Sequence, residues 1–206
     1  MMKLKHLESA LQDVSEFDDP NIELEQYQTS AHLAARMIHT MAGYGDITGR
    51  QVLDLGCGCG MLSIASALMG CSYVVGVDLD SHALDRAKEN VEEFELDSNI
   101  DLIQANVNGL QLKLFDTVVM NPPFGTRCKG IDMAFVKAGI DHALTAVYSL
   151  HKTSTRQHIQ KKSLEWGVKM TVVATMRFDL PQTYCFHKSA SKDIDVDFIR
   201  FAKIQR

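Results

Sequence analysis

The sequence Asn121-Pro122-Pro123-Phe124 carries the most specific chemical signal in the chain. Two acceptors, the side-chain oxygen of Asn121 and the carbonyl of Pro122, can bind both hydrogens of a planar amino group and direct its nitrogen lone pair toward an electrophilic methyl group. Pro122 and Pro123 lack N–H donors and stiffen the loop, while Phe124 offers a flat face for stacking. The tetrapeptide predicts methylation of an amino nitrogen, although an Asn-Pro turn that simply leaves a strand is the alternative.

A second signal is the glycine-rich turn Gly56-Cys57-Gly58-Cys59-Gly60, which follows an apolar strand and opens a helix. Such a turn lets a ligand approach the backbone and the unpaired N–H groups of the helix. Its G-x-G-x-G spacing differs from the dinucleotide fingerprint G-x-G-x-x-G. Asp54 precedes the first glycine closely, where a carboxylate would repel a pyrophosphate but attract the cationic methionine end of S-adenosylmethionine (SAM). A strand–helix turn without a ligand is the alternative.

Polar residues also follow the next two predicted strands. The sequence VGVD ends at Asp78, where an acid can accept hydrogen bonds from a ribose diol or can cap the next helix. Asn106 follows the third strand, where it can contact an adenine ring or serve as a turn residue. The glycine turn, Asp54 and Asp78 together favour SAM over a nicotinamide dinucleotide.

Cysteine and histidine residues give no metal signal. Cys57 and Cys59 form a C-x-C pair that lacks the two further ligands of a structural zinc site, so a structural role is expected and no metal is predicted. The 8 histidines have no ligand spacing and are interpreted as surface or capping residues.

The elements that must position these residues alternate between apolar strands and helices, which is typical of a doubly wound α/β domain. We predict one domain over 1–206: N-terminal helices and a cofactor lid in 1–42, then a catalytic core in 50–206. The core is a mostly parallel seven-stranded sheet with an antiparallel C-terminal strand and helices on both faces. The predicted strands are 51–55, 73–77, 100–104, 117–120, 146–150, 169–176 and 193–201, and the predicted helices are 1–14, 31–41, 61–69, 81–94, 132–143 and 153–166.

Composition excludes several classes of protein. The chain of 206 residues is 46% hydrophobic and 23% charged, as expected for a globular domain, and has no apolar run long enough to cross a membrane. No secretory signal is recognised, and the 5 cysteines are expected to be reduced. The net charge of −5 disfavours nucleic-acid binding, but residues 151–162 are basic. That run is either a solvated helix face or a contact for an anionic substrate.

The chain resembles class I methyltransferases of the amino-methylating group, and more narrowly the eukaryotic methyltransferase-like 5 family of small-subunit ribosomal RNA adenine-N(6) methyltransferases. The segments that carry the resemblance are Leu24 to Met37, Asp54 to Ile64, Asn90 to Leu96, Met120 to Thr126, Thr145 to Arg156 and Asp193 to Phe201. The resemblance implies a catalytic loop over Asn121 to Phe124. It implies SAM contacts from Gln26, Thr29, Gly56, Cys59, Asp78, Asn106 and Val107.

The resemblance also implies the substrate and partners. The substrate would be 18S ribosomal RNA, and the partner a small zinc-binding methyltransferase activator in an obligate heterodimer. The expected location is the nucleus, the nucleolus and the cytoplasm. Asn106 stands where the family commonly has Asp, and Gln28 where it usually has Pro, so the adenine contact and the lid are expected to differ somewhat.

Two further hypotheses remain open. The same loop chemistry serves methyltransferases that act on DNA adenine, guanine or protein glutamine, because these groups are all planar amines or amides. The second hypothesis is that the chain is a non-catalytic module with the same fold, which binds RNA or assists ribosome assembly. The intact glycine turn, Asp78 and catalytic tetrapeptide disfavour such a decayed enzyme.

Overall fold

A computed structural model describes residues 2–180 and 192–203 of the chain. Seven strands form one sheet: β1 (Gln51–Leu55), β2 (Tyr73–Asp78), β3 (Ile100–Gln104), β4 (Phe115–Met120), β5 (Ala143–Lys152), β6 (Val168–Leu180) and β7 (Lys192–Lys203). Their order is β3-β2-β1-β4-β5-β7-β6. The first five strands pair in parallel, and β7 is antiparallel to both β5 and β6. The predicted fold class is confirmed.

The strands from β5 onward differ most from the sequence-based bounds. Strand β5 extends beyond 146–150 in both directions, because Ala143 pairs with Phe115 of β4 and Lys152 pairs with Val196 of β7. The antiparallel strand β7 lies between β5 and β6, so β6 forms the edge of the sheet. These pairings join distant parts of the chain, which local periodicity does not report.

Six helices cover the sheet: α1 (Leu4–Leu11), α2 (Ala31–Gly43), α3 (Met61–Leu68), α4 (Ser81–Glu93), α5 (Ile131–His142) and α6 (Arg156–Glu165). Ser30 caps α2 and Asp80 caps α4, since each side chain accepts a hydrogen bond from a backbone N–H of its helix. The predicted helix 1–14 is shorter, and part of 153–166 is a 3-10 turn, Thr153–Thr155. Within the described residues, no helix is sufficiently long and apolar to span a membrane.

Two apolar clusters, one on each face of the sheet, hold the strands in place. Val52 of β1 packs with α1, α2 and α3, whereas Leu53 of the same strand belongs to the cluster that contains α5. This alternation follows from the period of two along a strand. Because the first five strands are parallel, the carboxyl ends of β1, β2, β4 and β5 lie along the same side of the sheet. The strand order changes direction between β1 and β4. Open α/β sheets bind ligands at that point.

Candidate active site

The glycine turn after β1 forms one wall of a cavity of about 360 Å³. Gly56, Gly58 and Gly60 all have positive φ, of 71°, 53° and 86°, so side chains would strain this backbone. The N–H groups of Gly56 and Cys57 donate to the Val77 carbonyl of β2, at 2.8 and 3.1 Å. The turn is therefore fixed by its own conformation and by the neighbouring strand, and the cavity is of a size typical of small-molecule sites.

Asp78 lies at the end of β2, on the cavity wall. Its contact with a ribose stays a prediction. Its two carboxylate oxygens accept hydrogen bonds from the N–H groups of Gly58, at 2.9 Å, and Asp80, at 3.0 Å. Burial raises the pKa of Asp78, although these backbone hydrogen bonds counteract the rise. Each oxygen keeps a lone pair, so the group can still accept from a diol.

Asp54 does not line the cavity. Its side chain is fully buried behind the glycine turn, where the hydroxyl of Ser63 donates to Oδ2 at 2.7 Å. Oδ1 has no hydrogen-bond partner among the described residues. Burial raises the pKa of Asp54 to about 7. The structure thus places this carboxylate next to the cofactor turn but not at the wall, and its interaction with a cationic ligand stays a prediction.

The cavity wall also contains the other residues that the resemblance implies. Asn106, Val107 and Cys59 all line it. The Asn106 side-chain oxygen accepts from the N–H of Asn108 at 2.9 Å, which leaves its amide nitrogen available as a donor. Burial raises the pKa of Cys59 to about 12, which keeps it a neutral thiol. Among the described residues, no cluster could hold a metal ion.

Residues 15–30, which we call the lid, cross over this cavity. Gln26 and Thr29 both line it, as predicted. The Gln26 amide is nevertheless engaged by protein, since its nitrogen donates to Asp80 at 2.8 Å and its oxygen accepts from the N–H of Asn21 at 2.6 Å. Gln26 therefore ties the lid to the end of β2, in addition to any contact with a cofactor.

The lid is also tied to the cofactor turn through Asn90 of α4, a residue to which the sequence assigned no role. Its oxygen accepts from the N–H of Ser15 at 3.0 Å, and its nitrogen donates to the carbonyls of Ser15 and Cys59 at 3.0 and 2.9 Å. The signal available in the sequence was a polar residue on the otherwise apolar, inward face of a helix.

The loop after β4 places the catalytic tetrapeptide beside the cavity. Asn121 and Pro123 line it, whereas Pro122 is buried and Phe124 lies outside its wall. The Asn121 side-chain nitrogen donates to the hydroxyl of Thr29 at 2.9 Å. This bond fixes the orientation of the amide and leaves its oxygen available as an acceptor for a substrate. The Lys152 ammonium lies 5.6 Å from the centre of the Phe124 ring.

Glu25 is the functional residue that sequence reasoning missed most clearly. Its backbone is left-handed, with φ of 51°, and the residue is 8% exposed. The carboxylate accepts hydrogen bonds from the N–H groups of Phe124, at 3.1 Å, and Arg127, at 2.8 Å. A single acid among polar neighbours gives no periodic signal, because its partners lie 99 and 102 positions along the chain.

The histidine prediction is wrong for two of the eight. His142 and His151 are buried, because each occupies a core-facing position at the end of its element. His151 Nε2 lies 2.8 Å from the Ser149 hydroxyl, and Nδ1 lies 3.7 Å from Asp132, in the first turn of α5. Burial works to raise the pKa of Asp132, but the nearby imidazole and a backbone N–H outweigh it and lower that pKa.

The basic run 151–162 does not form one solvated helix face. Besides the buried His151, Arg156 makes two hydrogen bonds to the buried carboxylate of Asp197, at 2.6 and 2.7 Å. Lys162 pairs with Glu165 at 2.7 Å. Lys152, above Phe124, is the member of the run that lies at the candidate site.

Two curated relatives resemble the chain over nearly its whole length. One, from Danio rerio, is named rRNA N(6)-adenosine-methyltransferase METTL5 and is 56% identical over 97% of this chain and 99% of its own. Another, the Mettl5 protein of Drosophila melanogaster, carries the same activity in its name and is 53% identical over 97% and 96%. A family model described as Ribosomal protein L11 methyltransferase (PrmA) matches residues 29–122.

Solved structures agree with these sequence matches. A Pyrococcus horikoshii protein, described as an RNA methyltransferase candidate, superposes with a TM-score of 0.90 at 34% identity, covering 100% of both chains. Magnesium protoporphyrin IX methyltransferase from Synechocystis, solved with bound SAM, has a TM-score of 0.63 at 16% identity, over 83% of this chain and 78% of its own. This second similarity concerns the fold alone.

Proposed function

The chain belongs to the rRNA N(6)-adenosine-methyltransferase family, and from that premise we propose that it methylates N6 of an adenosine in 18S, small-subunit ribosomal RNA. It is a SAM-dependent enzyme with a class I methyltransferase fold. The observation that carries the catalytic assignment is the hydrogen bond from Asn121 to Thr29, which leaves the Asn121 oxygen as an acceptor beside the cavity.

The described residues suit SAM in both charge and shape. The glycine turn offers close backbone approach, Asp78 can accept from the ribose diol, and Asn106 and Val107 line the place for the adenine ring. Cys59 contributes an uncharged wall. Bound there, SAM supplies a methyl group made electrophilic by its sulfonium.

Catalysis in this proposal depends on positioning. An exocyclic adenine amine is a poor nucleophile, because its lone pair is delocalised into the ring. The Asn121 oxygen and the Pro122 carbonyl would accept its two hydrogens and draw the nitrogen toward tetrahedral geometry. Phe124 would stack on the base. No strong base is required, because the nitrogen becomes acidic once it is methylated and then loses a proton readily.

Asn121→Ala tests this assignment. We expect methyl transfer to fall at least about 100-fold, the cost of losing one precisely placed polar group in a catalytic site, with SAM affinity within a few-fold of the wild type by calorimetry. Asn99→Ala is the matched control, because Asn99 precedes β3 at the opposite edge of the sheet. Full activity in the Asn121 variant would show that the loop chemistry is wrong.

The small-subunit target requires a separate experiment. Ribosomal RNA from cells lacking the protein would be separated into small- and large-subunit fractions, digested and analysed by mass spectrometry. We expect one N(6)-methyladenosine site to disappear from the small-subunit RNA. Loss confined to large-subunit RNA would contradict the 18S proposal, and unchanged adenosines with altered guanosines would favour the guanine alternative.

We also propose the zinc-binding activator as a heterodimer partner. An acidic chain with a net charge of −5 gains from a second protein that helps to hold RNA. The sheet ends in strands β3 and β6, and the main chain of a partner strand can pair with such an edge. We expect co-expression with the activator to increase soluble yield and activity several-fold. Equal yield and activity without it would contradict this proposal.

An enzyme of this kind would act in the nucleus and nucleolus, where ribosomal precursors assemble, and in the cytoplasm. Immunofluorescence of the untagged protein, with nucleolar and cytoplasmic markers, checks the proposed location. Exclusion of the protein from all three compartments would contradict it.

A further inference from the structure

Several side chains fasten the lid to the rest of the described domain. Asn90 holds Ser15 near the cofactor turn, Gln26 reaches Asp80 after β2, and Glu25 reaches the loop after β4. The first two connections end at elements that surround the predicted cofactor. The Glu25 connection, like that of Thr29, ends at the loop that contains the predicted catalytic tetrapeptide.

The geometry of Glu25 is costly, which argues against an incidental contact. Its left-handed backbone conformation, at φ of 51°, is disfavoured for residues with a β-carbon. Its carboxylate also leaves water, since the residue is 8% exposed. Two hydrogen bonds from backbone N–H groups offset that cost, because charge-assisted bonds of this kind are among the stronger ones in proteins.

The same two bonds determine what the loop can offer a substrate. Pro122 and Pro123 have no N–H, and the N–H groups of Phe124 and Arg127 are directed to Glu25. The backbone around the amino-group site is thereby biased toward acceptors. An amino group that donates two hydrogen bonds needs two such acceptors, and an N–H donor directed at its hydrogens would repel it.

We propose that Glu25 is a positioning residue for methyl transfer, which holds the loop after β4 so that the Asn121 oxygen and the Pro122 carbonyl face the amino group of the substrate. The proposal rests on the function proposed above. Glu25 acts through the loop, and its removal leaves the Asn90 and Gln26 connections of the lid in place. We therefore expect an effect on the rate of the chemical step, with cofactor affinity largely preserved.

Glu25→Gln is the informative substitution, with Glu23→Gln as its matched control. Both remove one negative charge from the same turn of the lid, at residues that border the cavity. The Glu23 side chain is exposed, however, and its carboxylate lies 3.9 Å from the Arg127 guanidinium without bonding to the backbone of the loop among the described residues. A glutamine at position 25 retains one acceptor and presents an NH₂ group to the second backbone N–H. We expect kcat to fall about 10- to 100-fold for Glu25→Gln, the range of a misplaced catalytic group, and less than about twofold for Glu23→Gln.

Three further measurements separate positioning from general damage. Calorimetry with SAM should give dissociation constants within about threefold for both variants. Melting temperatures should confirm that both variants fold. Hydrogen exchange followed by mass spectrometry should show faster exchange over residues 121–127 in Glu25→Gln, with the glycine turn unchanged. Glu25→Asp, which keeps both oxygens on a shorter side chain, should recover part of the lost rate.

The outcomes are decisive in either direction. An unchanged kcat in Glu25→Gln overturns the proposal, as does unchanged exchange over 121–127 or a loss that appears wholly as weaker SAM binding. The wild type and Glu23→Gln report on the proposed function itself. If neither methylates adenosine in ribosomal RNA, the function is wrong, whereas the exchange measurement still tests whether Glu25 holds the loop.

Discussion

The turn after β1 and the loop after β4 lie on adjacent strands at the same edge of the sheet, yet they are held in different ways. The turn takes its shape from three glycines with positive φ and from hydrogen bonds to the next strand. The loop is fastened by side chains from elsewhere in the chain. Glu25 and Thr29 both come from the lid. The helix α5, which follows the loop, has Asp132 in its first turn, where it faces His151 of β5 at 3.7 Å.

This difference separates two tasks of one active site. A cofactor with an invariant shape suits a turn whose conformation is set by its own residues. A reacting amine must be aligned within a fraction of an ångström, and in the proposed mechanism two residues of the lid hold the loop that would align it. We therefore expect damage to the turn to appear in folding or cofactor affinity, and damage to the loop to appear in the rate.

The largest expected effect is on stability, and it follows from substituting the buried residue behind the glycine turn, Asp54→Asn. The folded-state pKa of about 7 lies above the reference value of 3.8, so the unfolded chain loses this proton first and stability falls as pH rises from about 4 to about 7. Across this pH range the free energy of unfolding falls by an amount on the order of 4 kcal/mol. Denaturant unfolding at pH 5 and pH 8 checks this. The free energy of unfolding of the wild type should fall between the two pH values, whereas that of the variant should fall less. Ser63→Ala, which removes the hydrogen bond but keeps the charge, should retain the pH dependence.

The next effect tests whether the turn is self-sufficient, through Gly56→Ala. A β-carbon there would lie 2.9 Å from the Phe135 ring, on a backbone with φ of 71°. Backbone strain and overpacking together cost about 3 kcal/mol, which corresponds to roughly 100-fold weaker SAM binding. Gly45→Ala is the control, since its φ of 77° is similar but no atom lies within 4 Å of the added carbon. Equal SAM affinities in calorimetry would show that the shape of the turn does not determine binding.

A smaller effect is expected when the helix that follows the loop loses its contact with β5, through Asp132→Asn. The variant loses the charge that faces His151, at 3.7 Å, while its shape is preserved. We expect kcat to fall about 10-fold, by slight misplacement of the loop, with SAM affinity unchanged. Asp141→Asn, on the exposed side of the same helix, should leave steady-state rates unaltered. A change in SAM affinity without a change in rate would contradict the assignment of affinity to the turn and of rate to the loop.

The smallest effect concerns Lys152 above the Phe124 ring. Lys152→Met keeps much of the side-chain volume but removes a cation–π contact worth about 0.5–1 kcal/mol. KM for RNA should rise about two- to fivefold while kcat changes little, and Lys161→Met should change neither. A larger loss in kcat than in KM would assign Lys152 to the chemical step instead.

The contrast between turn and loop also explains how far the sequence could be interpreted. Gly56, Gly58 and Asp78 act through local backbone geometry, and their placement on the cavity wall follows from a strand–turn–helix pattern. The parallel order and the antiparallel C-terminal strand followed in the same way from alternating apolar segments. Such features are encoded within a few neighbouring residues.

The supports of the loop and of the lid could not be predicted in this way. Glu25 and Asn90 are single polar residues whose partners lie 31 to 102 positions away. His151 was assigned to the surface, because nothing in its neighbours indicates that Asp132 and Ser149 enclose it. Asp54 was placed at the cofactor by its position before the glycines, but alternation along β1 directs it into the core instead.

The insertion of β7 between β5 and β6 has a consequence for how the protein is made. A ribosome produces β5 and β6 before β7, so β5 can pair with β4 on one side only, and β6 has no neighbour in the sheet, until β7 has emerged. The segment that carries His151 and Lys152 pairs with Asp197 and Val196 of β7. Nascent chains interrupted before that point would display two unpaired strand edges, which favour aggregation and recognition by chaperones. The order of synthesis thus delays the pairing of the β5 segment that carries His151 and Lys152 until β7 has been made.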